Sequence, residues 1–263
     1  MSEMKSGVRV VASGNGLRSW GLVEAFVGII LAITFMLLLV RWFDLPSFPR
    51  FVFDGNLGML LSYLVVWVPL LGACAYACYV RGTRSPARDF GLRITWLDVL
   101  FGLGVGLVVR ALAGVIEIIV YGRMTLGGVT FGEIVYDGWW VFGALVAPIL
   151  IAPFVEELFF RGLVLRATYR AGVGAGAGAG AAAAEPVGRG TASVVAVIVS
   201  ASLFSLLHLV EVTNAQTAIV LGLSTLILGI ATGMIAVYTK RIGGAMVAHA
   251  TFNGSLILAG LAS

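Results

Sequence analysis

The stretch WWVFGALVAPILIAPFVEELFFRGLVLRATYR, residues 139–170, decides how the chain is read. From Trp139 to Val155 it holds no ionisable side chain; then Glu156 and Glu157 stand side by side, followed by Arg161, Arg166 and Arg170. An apolar run approaching the roughly 20 residues that cross a bilayer predicts a membrane helix. An ionised carboxylate in hydrocarbon is costly, so a chain keeps one there only with a partner or a task. On a helix, Glu157 and Arg161 are four apart and share a face, with the acid N-terminal to the base, the better orientation. Successive helical residues diverge by about 100°, which turns Glu156 away and leaves it without a local partner. Pro148 and Pro153 interrupt the run and predict a kink just before the acidic pair, with freed backbone groups able to hold water near Glu156.

Outward from this stretch, the chain has the composition of a membrane protein. Of its 263 residues, 60% are hydrophobic and only 11% charged, and the mean hydropathy is +1.03, which excludes an ordinary soluble domain. Seven spans are expected, at residues 21–40, 57–80, 97–121, 139–160, 192–210, 218–237 and 243–262. All are helices, because lipid offers no partner for unpaired backbone groups. The fold class is therefore all-α, a polytopic helical bundle forming a single membrane domain. Residues 1–138 are expected to be a three-helix scaffold and residues 139–263 a four-helix core. The Ala/Gly-rich stretch 171–190 reads as a flexible cytoplasmic linker within that core.

Most of the 17 basic residues fall on one side of this topology. Lys5, Arg9, Arg18, Arg81, Arg84, Arg88, Arg93, Arg161, Arg166, Arg170, Arg189, Lys240 and Arg241 lie on the inner segments; Arg41, Arg50 and Arg123 lie outside, and Arg110 lies within the third span. The asymmetry places the N-terminus in the cytoplasm and the C-terminus outside. It also accounts for the net charge of +4 through anionic lipid at the inner surface, so membrane lipids are expected partners and nucleic acid is not. The first apolar run is too long for a signal-peptide core. The expected location is an integral, multi-pass position in the cell membrane. Cys74 and Cys78, the two cysteines, read as small packing residues within the second span.

Few other polar groups enter the spans. Gly102, Gly104 and Gly106 have no preceding strand and are read as close helix packing rather than a nucleotide loop, as are Gly229 and Gly233. Arg110 and Glu117 are seven apart on roughly one face, placed to pair with each other or with neighbouring helices. Glu24 lies near the inner end of the first span. The chain has 2 histidines, His208 and His249, and both fall within spans; His249 and Asn253 are four apart on one face. A carboxylate, two imidazoles and an amide suffice to activate water and stabilise an oxyanion. Depth is the difficulty. From a start at Ala192, His208 is roughly 24 Å along its helix, whereas His249 is only about 9 Å along its own. The four groups share a level only if helices begin below the bilayer.

Glu156-Glu157-x-x-x-Arg161, Phe204-x-x-x-His208 and His249-x-x-x-Asn253, in that order on successive segments, resemble the CPBP intramembrane proteases. That group includes the Rce1-type CAAX prenyl endopeptidases, the bacteriocin-processing and self-immunity proteins, and the Abi proteins. The resemblance covers about Pro148 to the C-terminus. It implies hydrolysis of a peptide bond, within the membrane, in a peptide or protein substrate that in part of the group is prenylated. By analogy Glu156 and His208 would activate the water, and His249 and Asn253 would stabilise the oxyanion. Glu157 and Arg161 would hold the site together and Phe204 would pack beside it. The analogy leans to a metal-independent reaction with no required cofactor; Glu156, His208 and His249 also form a catalytic zinc set with an open fourth position. Two other functions use the same residues: a non-catalytic scaffold or immunity protein, and a proton-coupled transporter. Against the transporter, the two halves of the chain show no repeat.

Overall fold

The computed structural model of the chain describes residues 20–43, 55–124, 137–178, 189–210 and 212–261. Eight helices account for nearly all of them. They are α1 (Leu22–Phe43), α2 (Asn56–Val80), a single turn α3 (Pro86–Asp89) and α4 (Trp96–Tyr121). The long α5 covers residues 138–178 and is followed by α6 (Arg189–Leu209), α7 (Ala215–Thr239) and α8 (Gly243–Leu261). Six of these, α1, α2 and α4 to α7, contain segments long and apolar enough to cross a bilayer. The protein is an integral, multi-pass membrane protein.

The seventh expected span exists as α8 but is not among those six. It carries Gly243, Gly244, His249, Asn253 and Ser255, and it is lined by protein. α4 runs along it: a Cβ on Gly102 would stand 2.6 Å from Val247 Cβ, and one on Gly106 would stand 2.5 Å from the Ala248 carbonyl oxygen. Only glycine permits that approach. Gly229 and Gly233 do the same for α7 against Ala201 and Val197 of α6. Gly104 departs from the expectation, because nothing lies within 4 Å of its Cβ position.

The fourth span does not end at Phe160. α5 continues to Gly178, so Ala171–Gly178, expected as linker, is helical; residues 179–188 lie outside the described residues. Intrinsic propensity does not explain the difference, since each glycine costs about 1 kcal/mol relative to alanine; the segment instead packs on α6, where a Cβ on Gly172 would stand 3.4 Å from Ala192 Cβ. The extension also resolves the depth problem. Arg166 Nη2 donates to the Lys240 carbonyl at 2.9 Å, which fixes the α7–α8 turn beside Arg166. α5 and α6 then run on past that turn, so α6 begins well beyond the level at which α8 starts.

The segments expected on the inner side meet at one end of the bundle. Arg81 pairs with Glu24 at 3.3 Å, Arg241 forks onto both oxygens of Asp98 at 2.9 and 3.0 Å, and the Arg170 guanidinium lies 3.8 Å above the Trp20 ring. Asp98 is already the acid of a capping box with Thr95 that starts α4. The hydrogen bonds that it donates to Asp98 hold the Arg241 guanidinium above its ordinary pKa. Gly91, at φ 70°, takes a left-handed turn there. Its carbonyl accepts from Ile242 N–H at 3.0 Å, and a Cβ would collide with Arg166.

The interior is aromatic at its centre. Phe159, Phe160, Phe204 and Leu163 are fully buried, with Phe160 edge-on to both Phe159 and Phe204 at 5.1 and 5.3 Å. The Arg110–Glu117 pair forms within α4 at 2.9 Å. Cys74 and Cys78 are buried free thiols. Leucine, isoleucine, valine and phenylalanine side chains dominate the exposed surface of the spans, as a lipid-facing surface requires.

Candidate active site

α5 carries the acidic pair, and its backbone is unusual. Between two α-helical turns it widens twice into π-helix, at Val141–Ile151 and Leu158–Val164, a form concentrated at functional sites. In this register each N–H reaches back five residues, as Ala152 N–H does to the Ala147 oxygen and Leu165 N–H to the Phe160 oxygen. The N–H due at the Pro148 oxygen then belongs to residue 153, a proline that has none. Asn253 Nδ2 donates to that oxygen at 2.7 Å. The expected consequence of the two prolines, freed backbone groups holding water, is replaced at this carbonyl by a side chain from α8.

Glu156 Oε2 is buried without a hydrogen-bond partner among the described residues. It stands 3.9 Å from His208 Nε2 and 3.8 Å from His249 Nε2. The other ring nitrogens are engaged. His208 Nδ1 lies 2.8 Å from the Phe204 carbonyl, one turn back on α6. A carbonyl only accepts, so Nδ1 carries a proton, and in the neutral ring Nε2 then presents its lone pair toward Glu156. His249 Nδ1 lies 3.0 Å from Glu157 Oε1, an arrangement that orients the ring as the aspartate of a catalytic triad does. Glu157 Oε1 also meets Arg161 Nη1 at 3.1 Å.

Glu157 and Arg161 are fully buried, His249 is 3% exposed, Glu156 13% and His208 27%. The cluster is therefore sealed on the Arg161 side and open on the His208 side. Phe204 stands between the charged and imidazole groups: its ring is 4.5 Å from that of His208, 5.5 Å from that of His249, and 4.6 Å beneath the Arg161 guanidinium. A guanidinium over an aromatic face is attracted by the ring's quadrupole, which partly replaces the hydration that Arg161 loses.

Six of the seven residues singled out from the sequence, Glu156, Glu157, Arg161, Phe204, His208 and His249, thus meet at the contact of α5, α6 and α8; Asn253, one turn beyond His249 on α8, is held instead on the Pro148 carbonyl, eight residues before Glu156 on α5. Two contacts were not legible in the sequence. The Glu157–His249 pair joins residues 92 apart in sequence, with no local pattern to announce it. The Asn253–Pro148 bond had a faint signal, two prolines five apart, matching the five-residue reach of a π-helical hydrogen bond.

Among the described residues, no three His, Cys, Asp or Glu side chains converge closely enough to hold a metal ion. The Glu156–histidine separations of 3.8–3.9 Å exceed the edge of about 3.4 Å that zinc bond lengths of about 2.0–2.1 Å give a tetrahedral site. The zinc reading of Glu156, His208 and His249 gains no support from this geometry.

Compared with known protein families, residues 138–255 match the profile described as type II CAAX prenyl endopeptidase Rce1-like. Neither the curated proteins nor the solved structures gave a match. The matched segment contains every site residue described above, and this part of the chain is similar to the Rce1-like family of type II CAAX prenyl endopeptidases.

Proposed function

We propose that the protein is an intramembrane endopeptidase whose catalytic residues are Glu156, His208, His249 and Asn253. The observation that carries this reading is the placement of Glu156 Oε2, free of protein hydrogen bonds and facing the Nε2 atoms of both histidines. A carboxylate and an imidazole so placed hold a water between them. Glu156 takes the water's proton as its oxygen attacks the scissile carbonyl, and His208 Nε2 accepts the second O–H and aims the lone pair.

The tetrahedral oxyanion needs donors. His249 donates from Nε2 only when doubly protonated, with Glu157 opposite as its counter-charge. The amide of Asn253 has two N–H bonds; one serves Pro148 and the second is the other donor. Collapse of the intermediate breaks the C–N bond, and Glu156 returns its proton to the leaving amine. Arg161 balances Glu157, and Phe204 fixes the three groups around its ring.

The substrate is a membrane-associated peptide or protein carrying a prenylated CAAX-type end, presented from the lipid to the open, His208 side of the site. The basic end of the bundle is cytoplasmic, facing the anionic leaflet of the cell membrane. The test is incubation of the protein in liposomes with a farnesylated CAAX peptide and its unprenylated twin, with mass spectrometry of the products. A new carboxyl terminus on the farnesylated peptide is expected; cleavage of neither peptide contradicts the proposal.

A further inference from the structure

The wide register of α5 has a second consequence, away from the acidic pair. Pro148 lacks the N–H that a five-residue register directs at the Gly143 oxygen. Tyr63 of α2 fills the position: its hydroxyl donates to the Gly143 oxygen at 3.0 Å, across 80 residues of sequence. Two prolines five apart therefore deprive two carbonyls five apart, and each is met by a side chain from a different helix, Tyr63 from α2 and Asn253 from α8. The hydroxyl is held in place. The Tyr63 ring stacks on Trp67 at 4.7 Å and meets Phe142 edge-on at 6.3 Å. Close packing surrounds the carbonyl too, since a Cβ on Gly143 would collide with Met59 of α2.

We propose that Tyr63 is a positioning residue for the candidate active site: its hydroxyl stands in for the missing N–H of Pro148 and keeps α5 in the π register that aims Glu156. In an ordinary α-helix each residue turns by about 100°, whereas a π turn takes more residues per revolution. A return of the 141–151 segment to α geometry would therefore rotate Glu156 and Glu157 relative to α6 and α8. Tyr63 touches neither substrate nor reacting atoms and acts only through the helix. The proposal rests on the active-site reading above.

Because the hydroxyl is needed only where the proline has removed an N–H, its effect vanishes when that N–H is returned. Tyr63→Phe, which deletes one oxygen, is compared in the native background and in a Pro148→Ala background. Two readouts are taken on protein in lipid nanodiscs: amide hydrogen exchange of peptides spanning residues 141–157, and kcat and KM on a farnesylated CAAX peptide. In the native background Tyr63→Phe is expected to raise exchange in this segment roughly tenfold, the scale of one lost buried hydrogen bond. It should lower kcat roughly tenfold, as a sub-ångström displacement of a catalytic group does, with KM unchanged. In the Pro148→Ala background the same substitution is expected to change neither. Equal effects in both backgrounds, or no effect of Tyr63→Phe in the native one, overturn the proposal. Should the wild-type protein cleave nothing, the protease reading falls, and the exchange comparison still decides whether Tyr63 replaces the missing N–H.

Discussion

Removing the charge of Glu157 is the sharpest perturbation available. Its carboxylate lies 3.1 Å from Arg161, and both side chains are fully buried. At that distance two unit charges interact by about 5 kcal/mol even with an effective dielectric of about 20. Breaking such a pair leaves a buried charge uncompensated and costs about 3–5 kcal/mol. Glu157→Gln keeps the shape and an acceptor toward His249 but strands Arg161, so it should fall in this range. Removing both charges is different, because the desolvation of the ions is then relieved as well. Glu157→Gln combined with Arg161→Met should return to within about 1 kcal/mol of the wild type. Activity should not return with it, since His249 has lost the counter-charge it needs when protonated. Equilibrium unfolding in mixed micelles, followed by tryptophan fluorescence, reads stability; peptide cleavage reads activity. A single variant as stable as wild type, or a double variant no better than the single one, would refute this account of the pair.

Other outcomes follow from the same geometry. His208→Ala and His249→Ala should each lower turnover by about 10²–10⁴-fold, the usual worth of a positioned acid or base, with the helical circular dichroism unchanged. Gly106→Val should destabilise the α4–α8 contact by about 1–3 kcal/mol, because its Cβ would stand 2.5 Å from the Ala248 oxygen; Gly104→Val, facing open space, should unfold in the same micelles like wild type. Treatment with 1,10-phenanthroline, then removal of the chelator, should leave cleavage unaltered; loss of activity restored by added zinc would return Glu156, His208 and His249 to the role of ligands.

Much of the architecture was legible because hydrophobic length is a local property. The acidic pair, its arginine and the two histidines announced themselves as charges where lipid forbids idle ones. The limits of α5 were not legible. Its extension to Gly178 accompanies packing on α6, where Gly172 faces Ala192, which composition alone cannot tell from a linker, and its wide turns depend on donors from α2 and α8. Pro148 and Pro153 predicted backbone groups freed to hold water because the side chains that meet two of those groups, Tyr63 and Asn253, sit 80 and more residues away. The relative depth of the histidines is a difficulty only while helix starts lie in one plane, and beginning helices at different levels removes it. The α7–α8 turn sits beside Arg166, partway along α5, so the helices do begin at different levels.

The claim on which all of this depends is that Glu156 is the group that activates water. Glu156→Gln is nearly isosteric, keeps its neighbours and removes only the base. Cleavage of a farnesylated CAAX peptide by this variant, reconstituted in liposomes and shown to unfold like wild type, is the most direct measurement. Turnover reduced to background is the predicted result; turnover equal to that of the wild type would contradict the mechanism.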